Sequence, residues 1–588
     1  MLHAERVKKA ARLTRIGRDV EELFADGTFK EPWVRRQWVD LVATKMLAGQ
    51  SVALVGRRGI GKTHVALAVS RSLTWNAVPG SQQVIDLPNV QPGRHPAAFR
   101  VQYTQSPDWL EGCFYVGDLE NKIAHARKKV RRPIVLLFPS IETAHGQWRG
   151  SSEKVDLVDL LVNILAHPKV RMIVTATPDG WAALAERHAE FVSRFVSIRV
   201  SEPDESESLP IAARSIARRK LAPADDGSAV REALSLAKRH FSGEPLLGSA
   251  VRVLQATAAD EDGSIDVSAV RTACAGVLGK GREWIGGDQV PDVDATIERL
   301  EEQVRGQHEV CSMIAEDQVA KAHGLTAFDQ PLSYVFYGPP GNGKTSTALR
   351  LQALLGGSNS RPLRIDCTEF SMPYDVRNLT VAVTAGLLAR PAAVVLLDEV
   401  NRLHPSGRDL LYQMLEGRIT TADGLVVSTA NSTVIMTTNE GDEAWLHPAA
   451  NRRVLDDAPA RAGRACRELL GAAISSRVTR FVAFPPLAAR HGVSIVQVEL
   501  ARFAQRPGVV GRNLRVVATT RLVEALAEVG MSSSNGARGV QRAIDTVMAG
   551  PLARLLGEPS IRNSRLELDA IMDDGALAGV RIAVEPFH

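Results

Sequence analysis

Two copies of the pattern Gly-x-x-x-x-Gly-Lys-Thr constrain the fold of this 588-residue chain more than any other feature. GRRGIGKT covers residues 56–63 after the apolar stretch 51–55, and GPPGNGKT covers residues 338–345 after the apolar stretch 334–337. An apolar strand, a glycine-rich loop that ends in Lys-Thr and a helix-compatible continuation together form a cradle for phosphate groups. The loops lie about 280 residues apart, so the sequence predicts a duplicated nucleotide-binding module of the α/β class.

The second module also carries an acidic pair where a hydrolytic site needs one. Residues 392–397 form a short, unbroken apolar run, which is typical of a parallel strand buried on both faces. The run ends in Asp398 and Glu399, and ligands of open α/β sheets bind at this carboxyl end of the strands. We therefore predict that the second module hydrolyses a nucleoside triphosphate.

The matching strand of the first module lacks these acids. Residues 133–138 form the apolar run, but Pro139 and Ser140 follow it. Neither side chain replaces a carboxylate beside Mg²⁺ or as the group that activates water. Glu142 lies just beyond, at a spacing that differs from that of the second module, and leaves an alternative carboxylate open. We predict that the first site binds nucleotide and hydrolyses it slowly or not at all.

Composition excludes several other classes of protein. Hydrophobic residues make up 45% of the chain, enough for several domain cores, and a formal net charge of +5 does not by itself demand a nucleic-acid partner. The five cysteines lack the spacing of a metal site, and neither a metal cluster nor a Ser-His-Asp or Cys-His set is apparent. We find no secretory signal and no run of about 18 apolar residues, so we predict a cytoplasmic protein without a membrane span.

Further short segments follow the two loops in a fixed order. They are CFYVGDLE at 113–120, FVSRF at 191–195, VSEP at 200–203, VRGQ at 304–307, IDCTEF at 365–370, LEGRIT at 415–420, MTTN at 436–439 and NGAR at 535–538. Each match is weak by itself. In this order the series resembles the double-ring Clp-type AAA+ ATPases, the group of ClpA, ClpB and ClpC, without their separate N-terminal substrate domain.

The resemblance implies two tandem AAA+ modules, each with a parallel-sheet P-loop α/β domain and a small helical lid. The implied boundaries are 1–30 for a basic helical segment, 31–204 and 205–280 for the large and small subdomains of the first module, 281–300 for a linker, and 301–487 and 488–588 for the second module. The basic helix predicted at 4–24 has two interpretations, a nucleic-acid or membrane arm and a helix packed on the next domain.

The resemblance also implies ATP and Mg²⁺ as ligands. Lys344 would contact the β- and γ-phosphates, and Thr345 and Asp398 would hold Mg²⁺. The other cofactor-binding residues belong to the two glycine-rich loops and are Gly338, Pro339, Pro340, Gly341, Asn342 and Gly343 in the second module, and Gly56, Gly59, Ile60, Gly61, Lys62 and Thr63 in the first.

Four residues of the second module take catalytic roles by the same resemblance. Glu399 would orient and deprotonate the attacking water, with Asn439 beside it as a polar sensor. Arg538 in the lid would contact the γ-phosphate, and Arg477 would be an arginine finger inserted into a neighbour's site. Judged without the resemblance, the two arginines could also be surface ion-pair residues, and Asn439 could end a strand as a turn former.

Substrate contacts are implied in the first module alone. Tyr115 matches the family's axial pore loop, with a core aromatic as the alternative, and Arg194 lies in the arginine-finger segment. In the second module residues 371–391 are too short to hold the usual pore loop, and Tyr374 is an aromatic in the wrong setting. We therefore expect one ring to hold the substrate and the other to hydrolyse ATP.

Two further departures from the family limit the partners. Residues 274–300 leave no room for a coiled-coil middle domain, and residues 440–473 lack the Ile-Gly-Phe or Ile-Gly-Leu tripeptide that docks a compartmental protease. We expect a ring oligomer, a hexamer, that remodels, unfolds or disassembles a protein client, directly or through an adaptor. Two alternatives stay open: a nucleotide-controlled scaffold in a bacterial secretion, mobile-element or defence system, and a nucleic-acid-associated ATPase that uses the basic patch 128–132.

Overall fold

The computed structural model describes residues 18–28, 35–74, 100–105, 121, 124, 134–145, 156–217, 222–223, 227–241, 243–286, 290–357, 360–421, 425–446, 457–531, 536–557, 561–573 and 576–587. The chain divides into two compact units. The first contains Met1–Ala237, Glu244–Gln255 and Asp260–Ile265, and the second contains Lys238–Gly243, Ala256–Ala259 and Asp266–His588. No helix in the described ranges is long and apolar enough to cross a membrane.

A mostly parallel sheet forms the centre of the first unit. Its described strands are β1 (Arg18–Asp19), β2 (Ser51–Val55), β3 (Arg100–Tyr103), β4 (Ile134–Phe138), β5 (Val170–Ala176) and β6 (Phe195–Arg199). Their order is β1-β3-β4-β5-β2-β6, and only the β1–β3 pair is antiparallel among these described strands. A short parallel pair joins β7 (Ala222–Pro223) to β8 (Ser264–Ile265).

Helices accompany these strands. Those described before residue 280 are α1 (Val20–Ala25), α2 (Arg36–Leu47), α3 (Lys62–Thr74), α4 (Leu157–Leu165), α5 (Pro178–Arg187), α6 (Ala189–Ser193), α7 (Glu205–Ala217), α8 (Ser228–His240), α9 (Leu246–Ala256) and α10 (Val267–Leu278). The helix predicted at 4–24 lies mostly outside the described residues, but α1 covers its end. Val20 and Leu23 of α1 are buried, which favours the packed interpretation for this part of the segment.

A second parallel sheet organises the second unit. Its described strands are β9 (Leu332–Tyr337), β10 (Leu363–Asp366), β11 (Val394–Asp398), β14 (Thr433–Thr438) and β15 (Arg480–Ala483), in the order β10-β11-β14-β9-β15. Between β11 and β14, β12 (Arg418–Thr420) and β13 (Val426–Ser428) form a hairpin. A third sheet contains β16 (Leu514–Ala518), β17 (Ser564–Asp573) and β18 (Ala576–Pro586).

The helices of the second unit include those of the predicted lid. The described helices after residue 290 are α11 (Val293–Glu301), α12 (His308–Ala322), α13 (Lys344–Gly356), α14 (Val376–Ala389), α15 (Arg408–Leu415), α16 (Glu443–Leu446), α17 (Ala458–Leu470), α18 (Ala472–Ser475), α19 (Gly492–Ala504), α20 (Pro507–Val510), α21 (Thr520–Met531) and α22 (Ala537–Leu555). Apolar residues of α19, α21 and α22 share one core with β17 and β18.

The central strands are buried on both faces, as their unbroken apolar sequences predict. In β11, Val395 and Leu397 belong to one apolar core, while Val394 and Leu396 belong to another on the opposite face. The β4 strand of the first unit alternates between two cores in the same way. Because successive side chains of a strand point to opposite faces, such a strand needs apolar residues at every position. The predicted α/β fold with parallel-sheet modules is confirmed.

The segment predicted as a linker, 281–300, contains folded structure. Trp284 is completely buried in the core around β9, and its indole Nε1 donates to the carbonyl oxygen of Leu354 at 3.2 Å. Helix α11 begins at Val293, capped by the Asp292 side chain. The glycines and prolines of the segment suggested a linker, whereas the buried indole fixes part of it to the second unit. The domain boundaries as a whole stay a prediction.

Candidate nucleotide sites

The second glycine-rich loop connects β9 to α13 in a shape that requires glycine. Gly338 has φ +135°, and a Cβ there would lie 2.3 Å from the carbonyl oxygen of Phe484. Gly343, with φ +99°, immediately precedes α13. Gln307 is buried and its Nε2 donates at 3.1 Å to the carbonyl oxygens of Asn342 and Pro485, which ties the loop to its surroundings. The amino end of α13 therefore faces the loop, as anion binding requires.

Lys344 lies at the centre of this loop. Its side chain is buried, and Nζ donates to the carbonyl oxygens of Gly338 at 2.5 Å and Pro339 at 3.0 Å and to Oδ1 of Asn439 at 2.9 Å. Burial lowers the pKa of Lys344 to about 8, and the positive charge of Arg538 acts in the same direction. The loop thus holds an ammonium group whose charge a bound phosphate would stabilise.

We expect the nucleotide affinity of this site to fall as the pH rises through about 8. Only the ammonium form of Lys344 attracts phosphate, and its pKa in the protein without nucleotide is about 8. Above this value binding takes up a proton, so Kd rises by up to about tenfold per pH unit. Kd for ATP measured at a series of pH values in a Lys62→Ala, Glu399→Gln chain tests this at the second site. Adding Lys344→Arg gives a guanidinium that stays charged, and an equal slope in that chain contradicts the assignment.

The acidic pair follows β11 and is fixed by a threonine on the neighbouring strand. Thr437 of β14 donates from Oγ1 to Oδ1 of Asp398 at 2.5 Å and accepts the backbone N–H of Glu399 at 3.1 Å. Arg364 donates from Nη2 to the other oxygen of Asp398 at 2.7 Å. Sequence reasoning missed both partners. Thr437 lies in the MTTN segment, in which the family resemblance assigns a role to Asn439 alone, and Arg364 carries no sequence signal.

Glu399 adopts a strained backbone that exposes its side chain. It has φ 56° and ψ 51°, in the left-handed region, and it precedes the 3₁₀ turn Val400–Arg402. A non-glycine residue in this region costs about 1–3 kcal/mol and persists only when its surroundings impose it. The side chain of Glu399 is exposed, whereas Asp398 is partly buried. The local geometry separates an anchored carboxylate from an accessible one, as suits a metal ligand beside a general base.

The lid helix reaches the same loop. The backbone N–H of Ala537, the first residue of α22, donates to the carbonyl oxygen of Gly341 at 3.0 Å, and Arg538 follows. The influence of Arg538 on the pKa of Lys344 agrees with this proximity. The structure therefore brings together Lys344, Asn439 and Arg538, which are far apart in the sequence. Thr345 lies in the first turn of α13.

Arg477 lies near the amino ends of the parallel strands, whereas the glycine-rich loop lies at their carboxyl ends. Arg477 precedes β15, which runs parallel to β9, whereas the glycine-rich loop follows β9. Arg477 forms an ion pair with Glu416, and its Nη2 donates to the hydroxyl of Tyr412 at 2.7 Å. Its guanidinium carbon lies 4.2 Å from the centre of the Tyr412 ring. Arg194 occupies the corresponding position before β6 and pairs with Glu190 at 3.2 Å.

The first glycine-rich loop repeats the lysine arrangement of the second. Nζ of Lys62 donates to the carbonyl oxygens of Gly56 at 2.6 Å and Arg57 at 2.7 Å. Burial lowers the pKa of Lys62, and the negative charge of Glu142 opposes this shift. Thr63 follows in α3, as Thr345 does in α13.

A cavity of about 400 Å³ adjoins the first loop, within the first unit. Its lining is mostly apolar and includes Ile60, Val65, Ile211, Leu247 and Val251, together with Gly59 and Gly61 of the loop. Apolar pockets of this size accept small organic ligands. A phosphate cradle beside such a pocket fits a nucleotide, whose base and phosphates need these two environments.

The first module retains the strained turn but not the acids. Ser140 has φ 51° and ψ 55°, and its backbone N–H donates to Oγ1 of Thr175 at 2.9 Å, just as Glu399 uses Thr437. Pro139 and Ser140 therefore correspond in geometry to the acidic pair. Glu142 lies in the following 3₁₀ turn, and its Oε1 accepts the backbone N–H of Thr177 at 3.1 Å. This carboxylate is close to the loop but anchored to the backbone.

Several predicted features lie outside the described residues. These are Tyr115, Asn535 and the basic patch 128–132. Residues 371–391 are described and contain the 3₁₀ turn Pro373–Asp375 and helix α14. Tyr374 in this turn is 75% exposed.

Family comparisons agree with this geometry. The family described as "AAA domain (Cdc48 subfamily)" matches residues 329–460, and the family described as "C-terminal, D2-small domain, of ClpB protein" matches residues 487–566. The first match includes the glycine-rich loop and the acidic pair, and the second includes most of the lid. A protein named "ClpA homolog protein" from Fuscovulum blasticum is 25% identical over 572 residues, which cover 91% of this chain and 68% of that protein. The chain is similar to Clp-type AAA+ proteins over most of its length.

Other similar proteins include a ClpB chaperone, matched over part of the chain, and a solved structure whose fold resembles that of nearly the whole chain. "Chaperone protein ClpB 1" from Thermosynechococcus vestitus is 31% identical over 291 residues, 47% of this chain and 33% of that protein. The structure of an Hsp104–ADP complex from Saccharomyces cerevisiae superposes with a TM-score of 0.70 at 22% identity, covering 96% of this chain and 99% of that one. The aligned region thus spans about a third of the ClpB relative and about two thirds of the ClpA homologue.

Proposed function

We propose that this Clp-type chain couples ATP hydrolysis, mainly in its second module, to the remodelling, unfolding or disassembly of a protein partner. The observation that carries the proposal is the assembly around Lys344. The phosphate-binding loop, the sensor Asn439 and the lid meet there, and the acidic pair Asp398-Glu399 ends the neighbouring strand β11. The first module keeps the phosphate cradle without this pair, which supports an unequal division of labour.

The residues present suit ATP and Mg²⁺. Hydroxyl and carboxylate oxygens are the ligands that Mg²⁺ prefers, so Thr345 and Asp398 would hold it. When bound, Mg²⁺ neutralises negative charge on the phosphates. Lys344 would bind the β- and γ-phosphates, and Glu399 would orient the attacking water and accept its proton, with Asn439 beside it as a polar sensor. Arg538 would contact the γ-phosphate from the lid.

The position of Arg477 supports assembly into a ring. Arg477 and the glycine-rich loop of the same chain lie at opposite ends of the strands. A finger in this position is suited to enter the nucleotide site of a neighbouring subunit, as in a hexameric ring. The partner would be a protein client or adaptor in the cytoplasm, with no role for a compartmental protease. Another similar solved structure is a complex of Saccharomyces cerevisiae Hsp104 with casein, which supports a protein client for this chain. Nucleic acid is not favoured, because it is suggested only by the basic N-terminal segment and the basic patch 128–132.

The two modules would act differently on the client. Tyr115 of the first module would hold it, while the second module, with no room for a pore loop in residues 371–391, would supply the hydrolysis. One ring would then hold the client, and the other would hydrolyse the ATP that drives its remodelling. A nucleotide-controlled scaffold remains the second candidate, supported by the same short interval in the second module.

We expect loss of Lys344 to abolish ATP turnover and loss of Lys62 to leave most of it. Each lysine is bound into its own loop, but only the second loop lies beside an acidic pair. Lys344→Ala, Lys62→Ala and Glu142→Gln would be compared for steady-state ATP turnover and for ATP-dependent unfolding of a tagged reporter protein. Glu142→Gln should keep full turnover, because this carboxylate is anchored to Thr177.

The two readouts separate the hypotheses. Retention of most turnover in Lys344→Ala would refute the assignment of hydrolysis to the second module. Turnover without reporter unfolding would favour the scaffold. Stimulation of turnover by DNA or RNA, with binding that weakens steeply as salt increases, would favour the nucleic-acid-associated alternative.

A further inference from the structure

The first unit contains a cluster of metal-ligand side chains that do not belong to the glycine-rich loop. His145, Asp156 and His188 present ligand atoms that all lie within 4.8 Å of one another. Nδ1 of His145 lies 2.7 Å from Oδ2 of Asp156 and 3.0 Å from Nε2 of His188. Oδ2 of Asp156 and Nε2 of His188 are 3.7 Å apart. No motif spacing predicted this cluster, because its members lie at the ends of three different elements of the chain.

We propose that His145, Asp156 and His188 bind a divalent transition metal ion of the zinc class. Zinc bonds of about 2.0–2.2 Å at tetrahedral angles place ligand atoms about 3.3 Å apart, so the three donors need to move by only a few tenths of an ångström. Two imidazoles and one carboxylate select zinc-like ions over Mg²⁺ and Ca²⁺, which prefer oxygen ligands alone. The site is distinct from the predicted Mg²⁺ ligands Thr345 and Asp398.

Neighbouring groups already orient two of the three ligands. Nδ1 of His188 lies 2.6 Å from Oδ1 of Asp159, so this ring nitrogen donates to the carboxylate and leaves Nε2 as a ligand. His188 is buried, with 6% of its surface exposed. Asp156 caps helix α4 by accepting the N–H of Val158 through Oδ1 at 3.0 Å, which leaves Oδ2 turned to the histidines.

Nδ1 of His145 lies within hydrogen-bond distance of two acceptors of the cluster. Nη1 of Arg187 lies 2.7 Å from Nε2 of His145 and can only donate, so a neutral His145 carries its proton on Nδ1. This one proton faces two acceptors, Oδ2 of Asp156 and Nε2 of His188. A cation at this point satisfies all three atoms at once. Metal binding moves the proton of His145 to Nε2, and the exposed Arg187 then swings away.

The ion would connect three segments of the first module that are separate in the sequence. His145 ends the 3₁₀ turn that contains Glu142, Asp156 begins α4, and His188 joins α5 to α6. Helix α6 leads directly to Arg194, the predicted finger of this module. The metal therefore braces the turn beside the first nucleotide site and the segment that leads to Arg194.

Titration of the metal-free full-length chain with Co²⁺, and with Zn²⁺ against a chromogenic chelator, tests the proposal. We expect one tight ion per chain and visible absorption bands typical of a tetrahedral Co²⁺ site. His145→Ala and Asp156→Asn should abolish this tight binding, and Asp159→Asn should weaken it by about 10–100-fold. Asn at position 156 retains helix-capping ability, so that variant is expected to fold.

Two comparisons make the outcome decisive. His167→Ala removes another histidine of the same unit and should leave Co²⁺ and Zn²⁺ binding unchanged, while Arg187→Gln removes a nearby cation and should tighten it. Circular dichroism and metal-free thermal melts that match the wild type establish that each variant is folded. If the wild type binds no more tightly than His145→Ala, or if Arg187→Gln weakens binding, the cluster is a hydrogen-bond network and the proposal fails.

Discussion

Glu399→Gln should lower ATP turnover by about 10²–10⁴-fold while ATP binding persists, because a positioned general base contributes about this much. The backbone N–H of Glu399 donates to Oγ1 of Thr437, which also donates to Asp398. The side chain of Glu399 is exposed at the carboxyl end of β11. Glutamine has the same shape but cannot take a proton from water. Lys344, Asn439 and Arg538 are unaffected by the change, so the nucleotide remains bound. Turnover and Kd for ATP, measured on the same preparation, test both parts of the prediction.

A matched control isolates the role of the base. Glu440→Gln removes another exposed carboxylate, one residue beyond Asn439, and should change turnover by less than about twofold. The Glu399→Gln chain should also retain its protein partner in the presence of ATP, so co-purification would identify the client. If Glu399→Gln hydrolysed ATP at the wild-type rate, the base would have to be another residue and the proposed mechanism would be wrong.

Contiguous sequence predicts the fold and the phosphate cradles well. Each glycine-rich loop, the β11 strand and its acidic pair lie in unbroken stretches whose local pattern determines their structure. The burial of β11 on both faces follows from its apolar run, and the register of β14 against β9 brings Asn439 to the loop. The helix and turn that fill residues 371–391 are likewise consistent with a segment too short for a pore loop.

Contacts between distant residues could not be predicted in the same way. The roles of Thr437 and Arg364 depend on which side chains neighbouring strands bring together. The cluster of His145, Asp156 and His188 depends on three loop ends, and nothing in their spacing indicates it. The burial of Trp284 also depends on a surface that only the folded second unit provides.

The turn at Ser140 explains how the first module can keep its fold without its acids. Its left-handed backbone and its hydrogen bond to Thr175 repeat the geometry at Glu399. The left-handed turn at Glu399 presents an exposed carboxylate, whereas the same turn at Ser140 presents only a hydroxyl. The turn is therefore set by the sheet and its threonine rather than by the acidic side chain, so a site can lose its base while its architecture persists.

Arg477→Ala should lower ATP turnover by about 10³–10⁵-fold, the contribution of arginine fingers in other nucleotide hydrolases. Arg477 precedes β15, so it lies at the opposite end of the parallel strands from the glycine-rich loop of its own chain. This position suits a residue that acts on a neighbouring subunit. In the single chain its guanidinium is held by Glu416 and Tyr412, so it is presented in a defined place. Kd for ATP should change little, because on this proposal the finger completes the site of another subunit. Turnover, Kd and ring size by light scattering would be measured together.

Mixing two inactive variants tests whether the finger acts between subunits. Arg477→Ala retains an intact pocket, and Glu399→Gln retains an intact finger. In mixed rings a pocket of the first kind beside a subunit of the second kind is complete, so a one-to-one mixture should recover about a quarter of wild-type turnover. Arg464→Ala, an arginine of α17 in the same module, serves as a control that should keep wild-type turnover in an unmixed ring. If random mixing is verified and no activity returns, Arg477 acts within its own chain or only supports the contact with Tyr412, and hydrolysis does not depend on a neighbour's finger.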